Sequence, residues 1–182
     1  MIVDLADPAA LQGAEAAGDR LIVVEGVIGS PFADRLSGEA GDNLLDGGAG
    51  ADTLLGGAGN DTLRGGGGDD LFLAGPGSDF YDGGAGRDRL DYSAAPAAIW
   101  LDLVSPTAPG NPDAGGFAAG DSVVSVEVIV GSAFDDVMAG GPLRDSFMGA
   151  AGHDLLIGRE GRDRLFGGDG EDTLIGGLGA DR

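Results

Sequence analysis

A period of nine residues constrains this chain more than any other feature. Residues 47–73 are three nonapeptides laid end to end, GGAGADTLL, GGAGNDTLR and GGGGDDLFL, each fitting G-G-x-G-x-D-x-U-x with U a large apolar residue. The same frame extends upstream over 38–46 and 29–37, and downstream over 74–82 and 83–91. It is lost over 92–130, resumes at Gly131 and keeps its phase to Arg182. A unit this short cannot bury an apolar face alone, so the repeats must stack on one another.

Each slot of the nonad has a physical task. Glycines at slots one, two and four let the backbone turn sharply through conformations that residues with a Cβ avoid. Slot six carries Asp34, Asn43, Asp52, Asp61, Asp70, Asp79 and Asp88, and later Asp136, Asp145, Asp154, Asp163, Asp172 and Asp181. Slot eight carries Leu36, Leu45, Leu54, Leu63, Phe72, Tyr81 and Leu90, then Met138, Phe147, Leu156, Leu165 and Leu174. A six-residue turn followed by a three-residue strand, its middle side chain inward, makes half a coil of a solenoid. Helix is expected to be nearly absent.

These residues resemble the hemolysin-type calcium-binding repeats of the repeats-in-toxin family. The resemblance covers 29–91 and 131–182 and rests on a carboxylate that recurs every nine residues. It implies an all-β fold, a right-handed parallel β-roll (a β-solenoid) with two nonads per turn. It also implies calcium ions between turns two nonads apart, held by slot-six carboxylates and by carbonyls of the glycine turns. One column would then be Asp34, Asp52, Asp70 and Asp88, facing Asn43, Asp61 and Asp79. In the second block Asp136, Asp154 and Asp172 would face Asp145, Asp163 and Asp181. The glycines implied in the first block are Gly47, Gly48, Gly50, Gly56, Gly57, Gly59, Gly65, Gly66, Gly68, Gly75, Gly77, Gly83, Gly84 and Gly86. Those in the second are Gly152, Gly158, Gly161, Gly167, Gly168, Gly170, Gly176, Gly177 and Gly179. Asn43 offers a neutral oxygen, and Phe32, Phe134 and Leu143 replace the slot-four glycine, so turns built on them are expected to be poor sites. The whole set predicts roughly five to nine ions.

Composition fits a cation binder. The formal net charge is −21 and 38 of 182 residues are glycine. Such a chain repels nucleic acid and anionic membrane surfaces and attracts divalent cations. One large apolar side chain per nonad is too little burial to offset the ordering of nine residues, so metal is expected to complete the fold. Hard oxygen ligands suit calcium better than zinc or copper. There is no cysteine and hence no disulfide framework. No apolar run is long enough to span a bilayer, and no signal-peptide pattern opens the sequence.

The rest of the chain repeats as well. Residues 18–30 align with 120–132 at a constant offset of 102, and Val3-Asp4-Leu5 echoes Leu101-Asp102-Leu103. The chain therefore reads as a tandem duplication: a partial spacer coil (1–28), a first nonapeptide block (29–91), a spacer (92–130) and a second, truncated block (131–182). Residues 2–5, 99–104 and 123–130 read as strands. Residues 105–120 read as a loop, and within 8–17 about two turns of helix are expected. Both ends are expected to be cuts, because family members usually carry another domain before the repeats and an uncleaved secretion signal after them.

Catalysis finds little support. His153 is the single histidine, at a solvent-facing slot five, which excludes a Ser-His-Asp arrangement. The glycine runs precede short strands and no lysine is present, which excludes a phosphate loop. Trp100 is expected to be a packed or edge aromatic. Glu25 and Glu127, beside Asp19 and Asp121, are expected as surface carboxylates, with calcium ligation as the alternative. Paired carboxylates can do acid–base work, but only in differing environments, and this lattice makes them alike. The module itself is therefore expected not to be an enzyme. The leading expectation is a monomeric, calcium-folded module of a secreted bacterial protein, a passenger of a type I secretion apparatus, extracellular or at the cell surface. A structural spacer of an adhesin or surface-layer protein, or the non-catalytic part of a secreted hydrolase or toxin, is the alternative.

Overall fold

The computed structural model describes residues 2–4, 26–104 and 117–182, with side chains from residue 26 onward. The stretch 8–17, expected as helix, lies outside the described residues, as do Asp19, Glu25 and most of the 105–120 loop.

Slots seven to nine form a strand in every nonad. Strands β1 (Ile2–Asp4) and β2 (Gly26–Ile28) precede the first block. That block contains β3 (Arg35–Ser37), β4 (Leu44–Ala49), β5 (Thr53–Leu55), β6 (Thr62–Gly67), β7 (Leu71–Leu73), β8 (Phe80–Ala85) and β9 (Arg89–Asp91). The spacer supplies β10 (Trp100–Asp102), β11 (Ser122–Val124) and β12 (Val128–Val130). The second block supplies β13 (Val137–Ala139), β14 (Ser146–Ala151), β15 (Leu155–Gly161), β16 (Arg164–Asp169) and β17 (Thr173–Gly179). No described residue is helical.

Alternate strands stack on opposite faces, and every pairing is parallel. One face is a single eight-stranded sheet ordered β1-β3-β5-β7-β9-β12-β14-β16. The other is divided into β2-β4-β6-β8-β11 and β10-β13-β15-β17. Within the blocks the register is 18 residues, Leu54 opposite Phe72 and Leu156 opposite Leu174, which is two nonads per coil. The chain is an all-β parallel β-roll.

The core is a file of slot-eight side chains between the two faces. Leu36, Leu45, Leu54, Leu63, Phe72, Tyr81, Leu90, Met138, Phe147 and Leu156 are fully buried. Inward alternation along each strand produces this directly, since neighbouring side chains point to opposite sides. Phe72 and Tyr81 meet edge to face, ring centroids 5.7 Å apart. Tyr92, Ile99, Leu101, Val126 and Ile129 carry the file through the spacer, while Leu174, on the last coil, is 47% exposed.

Residues 123–130, expected as one strand, form two. β11 lies on β8 and β12 on β9, which belong to opposite faces, so the chain must turn between them. Ser125 makes that turn at φ +53°. In the pairing, β1 stacks on β3 and β10 stacks on β13.

Candidate metal sites

The turns are positioned by the strands that follow them. Within each block, slot-six backbone N–H groups donate to the slot-six carboxylate Oδ1 of the next coil. Asp34 donates to Asp52 at 2.7 Å, Asp52 to Asp70 at 2.8 Å and Asp70 to Asp88 at 2.8 Å. On the opposite side Asn43 donates to Asp61 and Asp61 to Asp79, at 2.8 and 2.9 Å. In the second block Asp136 donates to Asp154, Asp154 to Asp172, Asp145 to Asp163 and Asp163 to Asp181, at 2.9–3.0 Å. The structure thus brings the slot-six residues into the four columns expected from the repeat. Slot five carries a second ladder of opposite sense, in which Ser78 N–H donates to Asn60 and Glu171 N–H to Nδ1 of exposed His153. The slot-five ladder was not among the expectations; polar side chains recurring at slot five were the available signal.

The second carboxylate oxygen behaves differently. Among the described residues Oδ2 of Asp52, Asp61, Asp70, Asp88, Asp154 and Asp163 is buried with no hydrogen-bond partner. An unpaired buried anion is costly, and a cation is the usual remedy. Each of these oxygens crowds against the slot-one glycine of its own turn, and in four of the six turns the slot-one carbonyl of the next coil also arrives there. A Cβ added to Gly47 would collide with Asp52 Oδ2 and lie 2.7 Å from the Gly65 carbonyl oxygen. Gly65, Gly149 and Gly158 repeat the arrangement with the carbonyls of Gly83, Gly167 and Gly176. Carboxylate and carbonyl oxygens converge there without a donor.

In the first two turns of each block a backbone donor fills that place. Slot-two N–H groups there donate to the slot-six side chain: Ser30 to Asp34, Glu39 to Asn43, Ser132 to Asp136 and Gly141 to Asp145, at 2.5–2.8 Å. In the well-formed turns slot two has positive φ instead, as at Gly66 (+97°), which turns its N–H away. Ala150 and Arg159 take positive φ at slot two without being glycine. Phe32 and Leu143, in place of the slot-four glycine, sit 73% and 76% exposed. The residues that marked these turns as poor sites coincide with the turns whose carboxylate is already satisfied.

Burial raises carboxyls in both kinds of turn, Asp136 and Asp145 included. Burial pushes the Asp70 carboxyl up to about 6, with neighbouring Asp88 and Asp52 adding to the rise. Asp79 is also raised to about 6 by burial, against opposing hydrogen bonds from the Asp61 N–H and the Tyr81 hydroxyl. Burial raises Asp52, Asp61, Asp88 and Asp154 as well. Among the described residues no three carboxylates or imidazoles converge on one point. An ion here would draw much of its shell from backbone carbonyls, which suits calcium with its six to eight oxygens and not a nitrogen- or sulfur-seeking metal.

The sequence profile of the RTX calcium-binding nonapeptide repeat matches the chain in four copies, over residues 28–63, 55–90, 125–156 and 148–182. The chain belongs to this family. RTX repeats bind calcium, and here they form a β-roll, so the chain is a calcium-binding repeat module whose architecture is structural and not catalytic. No curated protein matches it. Among the described residues no helix is long and apolar enough to cross a membrane.

Two further carboxylates, in the spacer, lie on the RTX columns. Asp121 accepts from Asp79 N–H at 2.7 Å and Glu127 from Asp88 N–H at 2.9 Å, each standing where a slot-six residue would. Elsewhere Arg159 grips Asp102 through two hydrogen bonds, at 2.6 and 2.7 Å, tying β15 to the spacer. Trp100 is half-buried on β10, an edge strand.

Proposed function

We propose that this chain is a calcium-folded module of a secreted bacterial protein, exported by a type I apparatus and folded outside the cell. The orphaned Oδ2 atoms carry the reading, because each marks a pair of turns whose oxygens repel one another until a cation lies between them. The nonads supply five such pairs: Asp52 with Asp70, Asp70 with Asp88, Asp61 with Asp79, Asp154 with Asp172 and Asp163 with Asp181. Slot-one carbonyls from the turn above, such as those of Gly65, Gly83, Gly167 and Gly176, complete the ligand sets. The bound ion supplies charge neutralisation and crosslinks successive coils.

A metal-free chain of charge −21 with 38 glycines has little to hold it together, so binding and folding are coupled. Affinity suited to the extracellular range, roughly 10⁻⁴–10⁻³ M, keeps the chain unfolded in a calcium-poor cytosol and folds it outside. The module acts as a single chain that carries stability for whatever domain it is joined to. A calcium titration followed by far-UV circular dichroism tests this. Strand signal is expected to appear with calcium and vanish in chelator; a strand-rich spectrum indifferent to calcium would overturn the reading.

A further inference from the structure

Both columns of the first block run on into the spacer, and they end in opposite ways. On one side the buried tyrosines occupy the carboxylates. Tyr81 hydroxyl donates to Asp79 Oδ2 at 2.9 Å, and Tyr92 hydroxyl to Asp121 Oδ2 at 2.6 Å. The oxygens that stand bare elsewhere are there covered by neutral donors, which leaves no reason for an ion.

On the other side nothing covers them. Asp88 is 0% exposed, and its Oδ2 has no hydrogen-bond partner among the described residues. No nonad lies 18 residues beyond it. The short 125–127 turn takes that place instead: Glu127 Oε2 accepts the Asp88 N–H at 2.9 Å. The Ser125 carbonyl approaches Gly83 together with Asp88 Oδ2, as the Gly83 carbonyl approaches Gly65 together with Asp70 Oδ2. Ser125 adopts φ +53° to present that carbonyl, a conformation unusual for a residue with a side chain. Arg87 and Arg144 line the cleft beside Glu127, yet neither reaches ion-pairing distance of it; the ion pairs among the described residues are Arg89–Asp91 and Arg159–Asp102.

We propose that Asp88, Glu127 and the Ser125 carbonyl form a further calcium site, one that crosslinks the first block to the spacer, while the Asp79–Asp121 side is closed without metal by Tyr81 and Tyr92. The site rests on the reading that the nonad turns bind calcium, and it adds an ion that pairing nonads does not produce. Glu127 serves twice, with Oε2 in the backbone ladder and the rest of its charge toward the ion. A longer side chain is required because the spacer turn is three residues instead of six.

The test is a crystal of the full chain grown in calcium, with anomalous difference density, alongside calorimetric counting of calcium in the parent and in Glu127→Gln. The Gln variant keeps an oxygen for the Asp88 N–H but loses the charge. A peak is expected between the 83–88 and 125–127 turns and none between Asp79 and Asp121, with one ion fewer in Glu127→Gln. Peaks between Asp52 and Asp70 without one between the 83–88 and 125–127 turns, or an unchanged count in Glu127→Gln, overturn the spacer site and leave the nonad sites standing. No peak at any nonad turn overturns both.

Discussion

At the scale of the residue, the two oxygens of a slot-six aspartate do separate work. Oδ1 accepts a backbone N–H from the coil below, while Oδ2 is left bare in turns such as those of Asp52 and Asp70, and is satisfied by slot two at Asp145 and by the Tyr81 hydroxyl at Asp79. Asparagine separates the two roles, since its amide oxygen can keep the ladder bond but carries no charge. Asp70 borders two of the proposed nonad sites, so Asp70→Asn is expected to raise the calcium midpoint of folding roughly tenfold, equivalent to about 1.4 kcal/mol. Asp145 already accepts the Gly141 N–H at 2.8 Å, and Asp145→Asn is expected to move the midpoint less than about twofold. Circular dichroism titrations of both variants beside the parent decide it. Equal shifts would mean that the bare oxygen does not mark the metal-binding turns.

At the scale of the element, a column of carboxylates is a titrating unit. Asp70 stands between Asp52 and Asp88 with Asp69 nearby, and burial plus these charges hold its carboxyl up to about 6. An unfolded aspartate titrates near 3.9. The folded form therefore binds the proton more tightly, so this contribution to stability is full below about pH 4 and is lost as pH rises through about 6. Asp79 behaves alike. In chelator, acidification from pH 7 to 4.5 is expected to increase strand signal; with calcium, the same change is expected to raise the midpoint, because protons compete for the same oxygens. A chelated chain whose spectrum is flat across that range would count against buried, like-charged columns.

The columns also explain what was legible beforehand. Two nonads make 18 residues, and the strand register and the slot-six ladders follow that number, as Leu54 opposite Phe72 shows. That the turns holding Phe32, Asn43, Phe134 and Leu143 differ from the rest was legible from their departures, and in the structure a slot-two N–H donates to the slot-six side chain of each. That hydrogen bond was not legible, since Gly141 is a glycine yet gives its N–H to Asp145 instead of taking positive φ. Asp121 and Glu127 were hidden because they join their columns at separations of 42 and 39 residues, across a loop whose length breaks the period. The expected single strand over 123–130 failed for a related reason: the spacer must cross from one face to the other, and valine content says nothing about where a chain crosses.

At the scale of the whole molecule, the two blocks share one continuous sheet but not the other. The eight-stranded face passes through β9, β12 and β14, whereas the opposite face is divided where β11 and β10 each end a separate ladder. A solenoid's stability is close to a sum of repeat terms and nearest-neighbour interfaces, so it divides at its weakest interface. Here that interface is carried by β12 and by Ile129, which is 1% exposed and pairs between Leu90 and Phe147. Ile129→Ala removes about 2–5 kcal/mol from that single junction and leaves every nonad intact. In saturating calcium the parent is expected to unfold in one calorimetric transition and Ile129→Ala in two, one for each block. A single transition in the variant, merely shifted to lower temperature, would show that the blocks are coupled through more than β12, with Arg159–Asp102 and the Asp88–Glu127 site as the remaining links.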